Sequence, residues 1–167
     1  MDNSITESGM DFDSTNAIYI EKTELYKKVS NKTRSVDFIR VKDNNLLFVE
    51  AKTTFANPEN PSSDNLIKYN NEIKNVCEKY LHSLSLLSAV MVGVKDATLD
   101  VEIILPSSLS IVFVLVIKNH EINWCKKITK EIKKNLPHYL MNIWTPIIFV
   151  INQHAAERYG LIHAKSS

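Results

Sequence analysis

Residues 111–117 read IVFVLVI, an unbroken apolar run rich in β-branched side chains. A strand that faces water on one side alternates polar and apolar residues. One that does not alternate has both faces covered, as in the interior of an α/β sheet. Residues 146–151, PIIFVI, repeat the pattern, so two buried strands are expected. Between them, residues 121–136 place Ile122, Cys125, Ile128, Ile132 and Leu136 at helical spacing, with Lys126, Lys127, Lys130, Lys133 and Lys134 on the other side. Strand, amphipathic helix, strand is the unit from which a helix-flanked sheet is built.

Residues 35–54, SVDFIRVKDNNLLFVEAKTT, read as two strands around the polar turn Lys42-Asp43-Asn44-Asn45. With those four residues as the loop, Val41 faces Leu46, and counting outward sets Asp37 opposite Glu50. Side chains alternate along a strand. One face then carries Asp37, Ile39, Val41, Leu46, Phe48, Glu50 and Lys52, and the other Val36, Phe38, Arg40, Leu47, Val49 and Ala51. A bulge at Asn44 or Asn45 would turn the acids apart. Two carboxylates opposed across a ladder repel. The arrangement makes sense when positive charge sits between them, part from Lys52 and the rest from a hard divalent cation, because Mg²⁺ takes one or two carboxylates with water and phosphate oxygens.

Asp37, twelve residues, then Glu50-Ala51-Lys52 at the end of an apolar strand resembles the active-site signature of the PD-(D/E)xK nuclease superfamily, with Val36 where the family name has proline. The motif spans some twenty residues, and the element order extends the likeness to most of the chain. The resemblance implies a three-layer, restriction-endonuclease-like α/β core, a mixed β-sheet flanked by helices. It implies metal-dependent phosphodiester hydrolysis, with DNA ahead of RNA as the nucleic acid, and Mg²⁺ as cofactor with Mn²⁺ as its substitute. Asp37, Glu50 and Lys52 would be catalytic. Asp37, Glu50 and the backbone carbonyl of Ala51 would hold the metal. The family also carries an acid upstream of the aspartate strand, for which Glu21 is the first candidate and Glu7 the second. Small nucleases of this type serve bacterial or phage defence and repair. Two alternatives stand beside this reading: a catalytically silent binding or regulatory subunit of the same fold, and a structural protein dimerising through residues 84–92.

The rest of the chain fits one domain over residues 17–167, preceded by a loosely ordered polar arm over residues 1–16 with a short strand at 10–12. Residues 17–29 fit either period, read here as a strand at 17–21 running into a turn or short helix. Residues 55–64 are a Pro-punctuated loop closed by cap-forming Ser62, Ser63 and Asp64. Residues 65–92 form a long helix with the stripe Ile73, Cys77, Tyr80, Leu84, Leu87 and Met91, a natural stop at Gly93, and a candidate break near His82-Ser83. Its apolar second half calls for burial against the sheet, a second copy or a partner protein. A further strand is expected at 101–105. The net charge of +1 excludes a strong overall basic field, and the lysine face of helix 121–136 reads as a solvated side rather than a phosphate contact. Cys77 and Cys125 read as buried reduced thiols. No zinc spacing, secretory signal or membrane-spanning run is expected, so the cytoplasm is the default location.

Overall fold

The computed structural model of the protein describes residues 4–99 and 108–163. Among these, the central element is a mixed five-stranded sheet in the order β3-β4-β5-β6-β7. Its strands are β3 (Ala17–Ile18), β4 (Phe38–Lys42), β5 (Asn45–Lys52), β6 (Ser110–Ile117) and β7 (Ile147–Asn152). β3, β4 and β5 pair antiparallel, while β6 and β7 continue parallel to β5. A two-stranded hairpin, β1 (Ser4–Glu7) and β2 (Met10–Asp13), stands apart from it. The helices are α1 (Glu24–Val29), α2 (Ser63–Met91), α3 (Ile122–Asn135), α4 (His138–Ile143) and α5 (Gln153–Arg158), with a single 3-10 turn at Ile20–Lys22. The strand expected at 101–105 lies outside the described residues. None of the described helices is long and apolar enough to cross a membrane.

β6 is buried from Ile111 through Ile117, as its composition demands. On one side Phe113, Leu115 and Ile117 meet Tyr80, Ile128 and Ile132 from α2 and α3; on the other, Val112, Val114 and Val116 meet Met10, Phe12 and Ala156. The second cover is supplied largely by residues 4–13, which read as a polar arm. Ser8 and Gly9, both at positive φ (51° and 70°), turn the hairpin. That folds Met10 and Phe12 inward, and Phe12 sits edge-on to Phe38 with ring centroids 5.4 Å apart. Two apolar residues at a spacing of two were enough to bury one face of an otherwise polar segment.

β2 is anchored by charge as well. Arg40 is 7% exposed, and its guanidinium donates to the Asp13 carboxylate (2.7 Å) and to the Asp13 carbonyl (3.1 Å). Burial raises the Asp13 pKa, but hydrogen bonds from Thr15 and Arg40, with the Arg40 charge, outweigh it and bring the carboxyl to about 2. A folded value below the unfolded one adds stability that is complete above the ordinary range near 3.8 and is lost as pH falls towards 2. Asp13→Asn is therefore expected to flatten the acid side of the stability profile by about 1–2 kcal/mol, allowing for solvent screening. Urea unfolding of both proteins at two pH values bracketing this window measures it; equal pH slopes would refute the role of the pair.

α2 is capped by Ser62, whose hydroxyl accepts from Asn65 N–H, and is released at Gly93, at φ 71°. It runs unbroken through His82-Ser83. Those two polar side chains instead hold the segment entering β4: Ser83 Oγ accepts from Val36 N–H (2.9 Å) and His82 Nδ1 from Arg34 N–H (3.1 Å). Leu84, Leu86 and Leu87 turn into the chain's own core, while Met91 is 46% exposed, so the stripe ends one turn early. In α3, Cys125, Ile128, Ile132 and the following Leu136 are buried as expected, the five lysines are exposed, and Ile122, in the first turn, is exposed too. α4 carried no periodic signal strong enough to be read in advance. Cys77 and Cys125 are free and buried, and burial lifts their thiols to about 12 and 11.

Candidate active site

The hairpin that carries the acids forms in the expected register, Val41 opposite Leu46 and Phe38 opposite Val49. Lys42 also pairs with Asn45, so the loop contracts to Asp43-Asn44, both at positive φ (49° and 58°), a turn whose twist matches that of the flanking strands. No bulge intervenes. Ile39, Leu46 and Phe48 accordingly join the core under α2, and Phe38, Leu47, Val49 and Ala51 the core under the β1-β2 hairpin. Val36 departs from the alternation. The chain bends at Asp37, and Ser83 draws Val36 into the α2 side instead.

β4 ends one residue short of Asp37, and side chains complete its ladder. Asp37 N–H still donates to Val49 O (3.1 Å). The Asp37 carboxylate takes the place of a backbone acceptor, Oδ2 receiving Ala51 N–H at 2.7 Å. Ser8, from the β1-β2 turn, donates its hydroxyl to the Ala51 carbonyl at 3.0 Å. One oxygen of Asp37 is thereby locked to the β5 backbone, leaving Oδ1 to face the site.

Glu50 points to the same side and is fully buried. Lys79, on α2, donates to both of its oxygens at 2.7 Å and lies 3.8 Å from Asp37 Oδ1. Lys52 reaches Glu50 Oε1 at 3.0 Å. The three residues of the motif are thus brought together, with one lysine more than the motif supplies. Burial pushes the Glu50 pKa up, and the Asp37 charge adds to the rise; Lys79 and Lys52 act in the opposite sense without cancelling it.

Of the two upstream acids, Glu7 at the end of β1 lies in the field of the pair. Its pKa is raised by burial and then by the charges of Asp37, Glu21 and Glu50. Glu21 sits exposed in the 3-10 turn, beside Lys22 and Tyr26. Among the described residues, no three His, Cys, Asp or Glu side chains stand close enough together to hold a metal ion. The oxygen groups at the site are Asp37 Oδ1, the Glu50 carboxylate and the Ala51 carbonyl, which accepts from Ser8. These are hard oxygens of the kind Mg²⁺ accepts, completed by water and substrate.

Two further lysines stand at the strand ends near the acids. Lys118 follows β6, its N–H donating to Lys52 O (2.9 Å). Its ammonium lies against the turn at Gly9, where a Cβ would meet Nζ at 2.8 Å; at φ 70° the position also favours glycine. Lys52 and Lys118 stand at the carboxyl ends of the parallel strands β5 and β6, Lys52 on the Glu50 side of the sheet and Lys118 against the β1-β2 turn, the end at which open α/β sheets place their ligands.

Lys79 and Ser8 were not foreseen. Lys79 had a signal: with Val76 and Ser83, both fully buried, it lies on one stripe of α2, and a lysine on a buried stripe calls for an acidic partner. Ser8 had none, since it meets Ala51 only through the tertiary fold. No family model, curated protein or solved structure matches this chain.

Proposed function

We propose that the protein is a divalent-metal-dependent nuclease with a restriction-endonuclease-like core, acting on DNA in preference to RNA. The observation that carries this reading is the convergence of Asp37 and Glu50 on a single ammonium group, at 3.8 and 2.7 Å. Two acids that share one cation at this separation can share another. The sheet with α2 and α3 on one face and β1-β2 with α5 on the other is compatible with such a core.

Asp37 Oδ1, Glu50 and the Ala51 carbonyl would hold Mg²⁺ or Mn²⁺. When bound, the cation acidifies water and neutralises the charge that develops at phosphorus. The bond from Ala51 N–H to Asp37 Oδ2 keeps the aspartate from rotating away, and burial does the same for Glu50. Lys52 would orient the attacking water through its ammonium and offset phosphate charge from the open side of the site.

Carboxylates must be ionised to hold a cation. Glu50 and Glu7 both have pKa values raised above 4.5, so the deprotonated site forms at higher pH than a free carboxylate would require. Mn²⁺ affinity is therefore expected to fall on acidification already above pH 4.5, a pH series of titrations measures it, and affinity unchanged down to that value contradicts the raised carboxylates.

The second reading, a silent subunit of the same fold that binds nucleic acid or a partner protein, is favoured by the same ammonium group, because Lys79 already neutralises the acids without metal. Incubation with plasmid, linear DNA and RNA in Mg²⁺ and in Mn²⁺, with EDTA and Glu50→Ala controls, separates the two. Cleavage that EDTA and the substitution both remove supports the nuclease. No cleavage of any substrate leaves the binding subunit.

A further inference from the structure

The charges at the site balance without any metal: Asp37 and Glu50 against Lys79 and Lys52. The four are not equivalent. Lys52 touches one Glu50 oxygen, whereas Lys79 bonds both and also faces the free oxygen of Asp37. Lys79 therefore sits where a cation shared by the two acids would have to sit. Its side chain remains 21% exposed, so the ammonium has a path to water that the buried Glu50 does not.

Resting on the nuclease reading for the metal itself, we infer that Lys79 is a resident counter-ion which a divalent cation must displace, and which then serves the phosphate. An unpaired buried carboxylate is costly, and Lys79 removes that cost when no metal is bound. Arrival of the metal makes the ammonium redundant at Glu50 and repels it. The lysine swings outward on its flexible stem, still tethered to α2, and its charge becomes available to a phosphodiester beside Lys52. Metal binding and substrate binding then support each other: the metal frees the lysine, and phosphate holds it in the freed position. Metal alone should bind weakly for a site of this charge, and better when nucleic acid is present.

Titration of Mn²⁺ into the full chain, read by loss of the free-ion EPR signal, tests this with wild type, Lys79→Gln and Lys74→Gln. Lys74 stands on the same helix but is exposed and paired with Glu78, away from the acids. Lys79→Gln is expected to bind Mn²⁺ about tenfold more tightly, the size of effect one like charge exerts at such range, with Lys74→Gln unchanged. Affinity in Lys79→Gln equal to or weaker than wild type overturns the inference. A crystal structure of wild type with Mn²⁺ gives a readout that does not depend on the variant folding: Lys79 is expected to have left Glu50, and an ammonium still bonded to both Glu50 oxygens beside the ion also overturns it. Cleavage assays on the same samples keep the two ideas apart. Tighter Mn²⁺ binding without cleavage of any substrate removes the nuclease and leaves the counter-ion; cleavage with unaltered affinity does the reverse.

Discussion

Glu50→Gln is expected to reduce metal-dependent cleavage by ~10³-fold or more, a loss of about 4 kcal/mol in transition-state stabilisation, while the protein stays folded. Glutamine keeps the shape of the side chain and removes the charge on which the cation depends. The charges left behind are those of Lys79, which retains Asp37 at 3.8 Å, and of Lys52; both side chains are partly exposed, so neither is stranded. The stability change should therefore stay within about 1–2 kcal/mol, below the 3–5 kcal/mol typical when a buried ion loses its only partner. Asp37→Ala and Lys52→Ala should lose cleavage to a similar degree. Plasmid nicking measured beside near-UV circular dichroism gives both quantities. Wild-type rates in folded Glu50→Gln would remove the assignment of these residues to chemistry.

Phe113→Ala should be the most destabilising of the substitutions considered. Phe113 is fully buried at the centre of β6. It stacks on Tyr80 of α2 (centroids 4.5 Å apart, 5° between planes) and meets Phe48 of β5 edge-on at 5.4 Å. Removing a large buried aromatic costs about 3–5 kcal/mol through lost burial and the cavity left, and two aromatic contacts go with it. In a chain of this size that lowers Tm by roughly 10 °C. The effect should reach the site, because Tyr80 adjoins Lys79 and the stack sets how closely α2 approaches β5. Urea unfolding with Phe113→Leu as the milder control reads the stability term, and cleavage at a temperature where both variants are folded reads the transmitted one. A change in unfolding free energy below about 1 kcal/mol would mean that the stack is not what seats α2.

The two effects meet at the interface between hairpin and helix, which also separates what was legible beforehand from what was not. The faces of the hairpin could be read because a two-residue turn, Asp43-Asn44, and a period of two leave little freedom once strand pairing is granted. The covered strand β6 and the apolar stripes of α2 and α3 could be read for the same reason, since burial leaves its period in the residue order, whereas β7, expected to be as fully covered, lies at the sheet edge with Ile147 exposed. His82-Ser83 shows the limit of such reading. Two polar residues in an apolar helix suggested a break, whereas their side chains find backbone donors in the segment before β4, 47 and 48 positions away.

The amino-acid sequence by itself determined that Asp37, Glu50 and Lys52 lie on one face of a paired strand, because local turn chemistry and side-chain alternation are properties of neighbouring residues. Only the tertiary structure decided which other charges join them. The stripe of α2 marked Lys79 as a lysine in need of an acid, but which acid was decided when the Tyr80–Phe113 stack laid α2 across β5, and Ser8 and Glu7 reached the site only when Met10 and Phe12 drew their hairpin onto the sheet. Partners 29 and 43 residues apart, Lys79 with Glu50 and Ser8 with Ala51, leave no period in the chain, and their meeting is fixed by how whole elements pack.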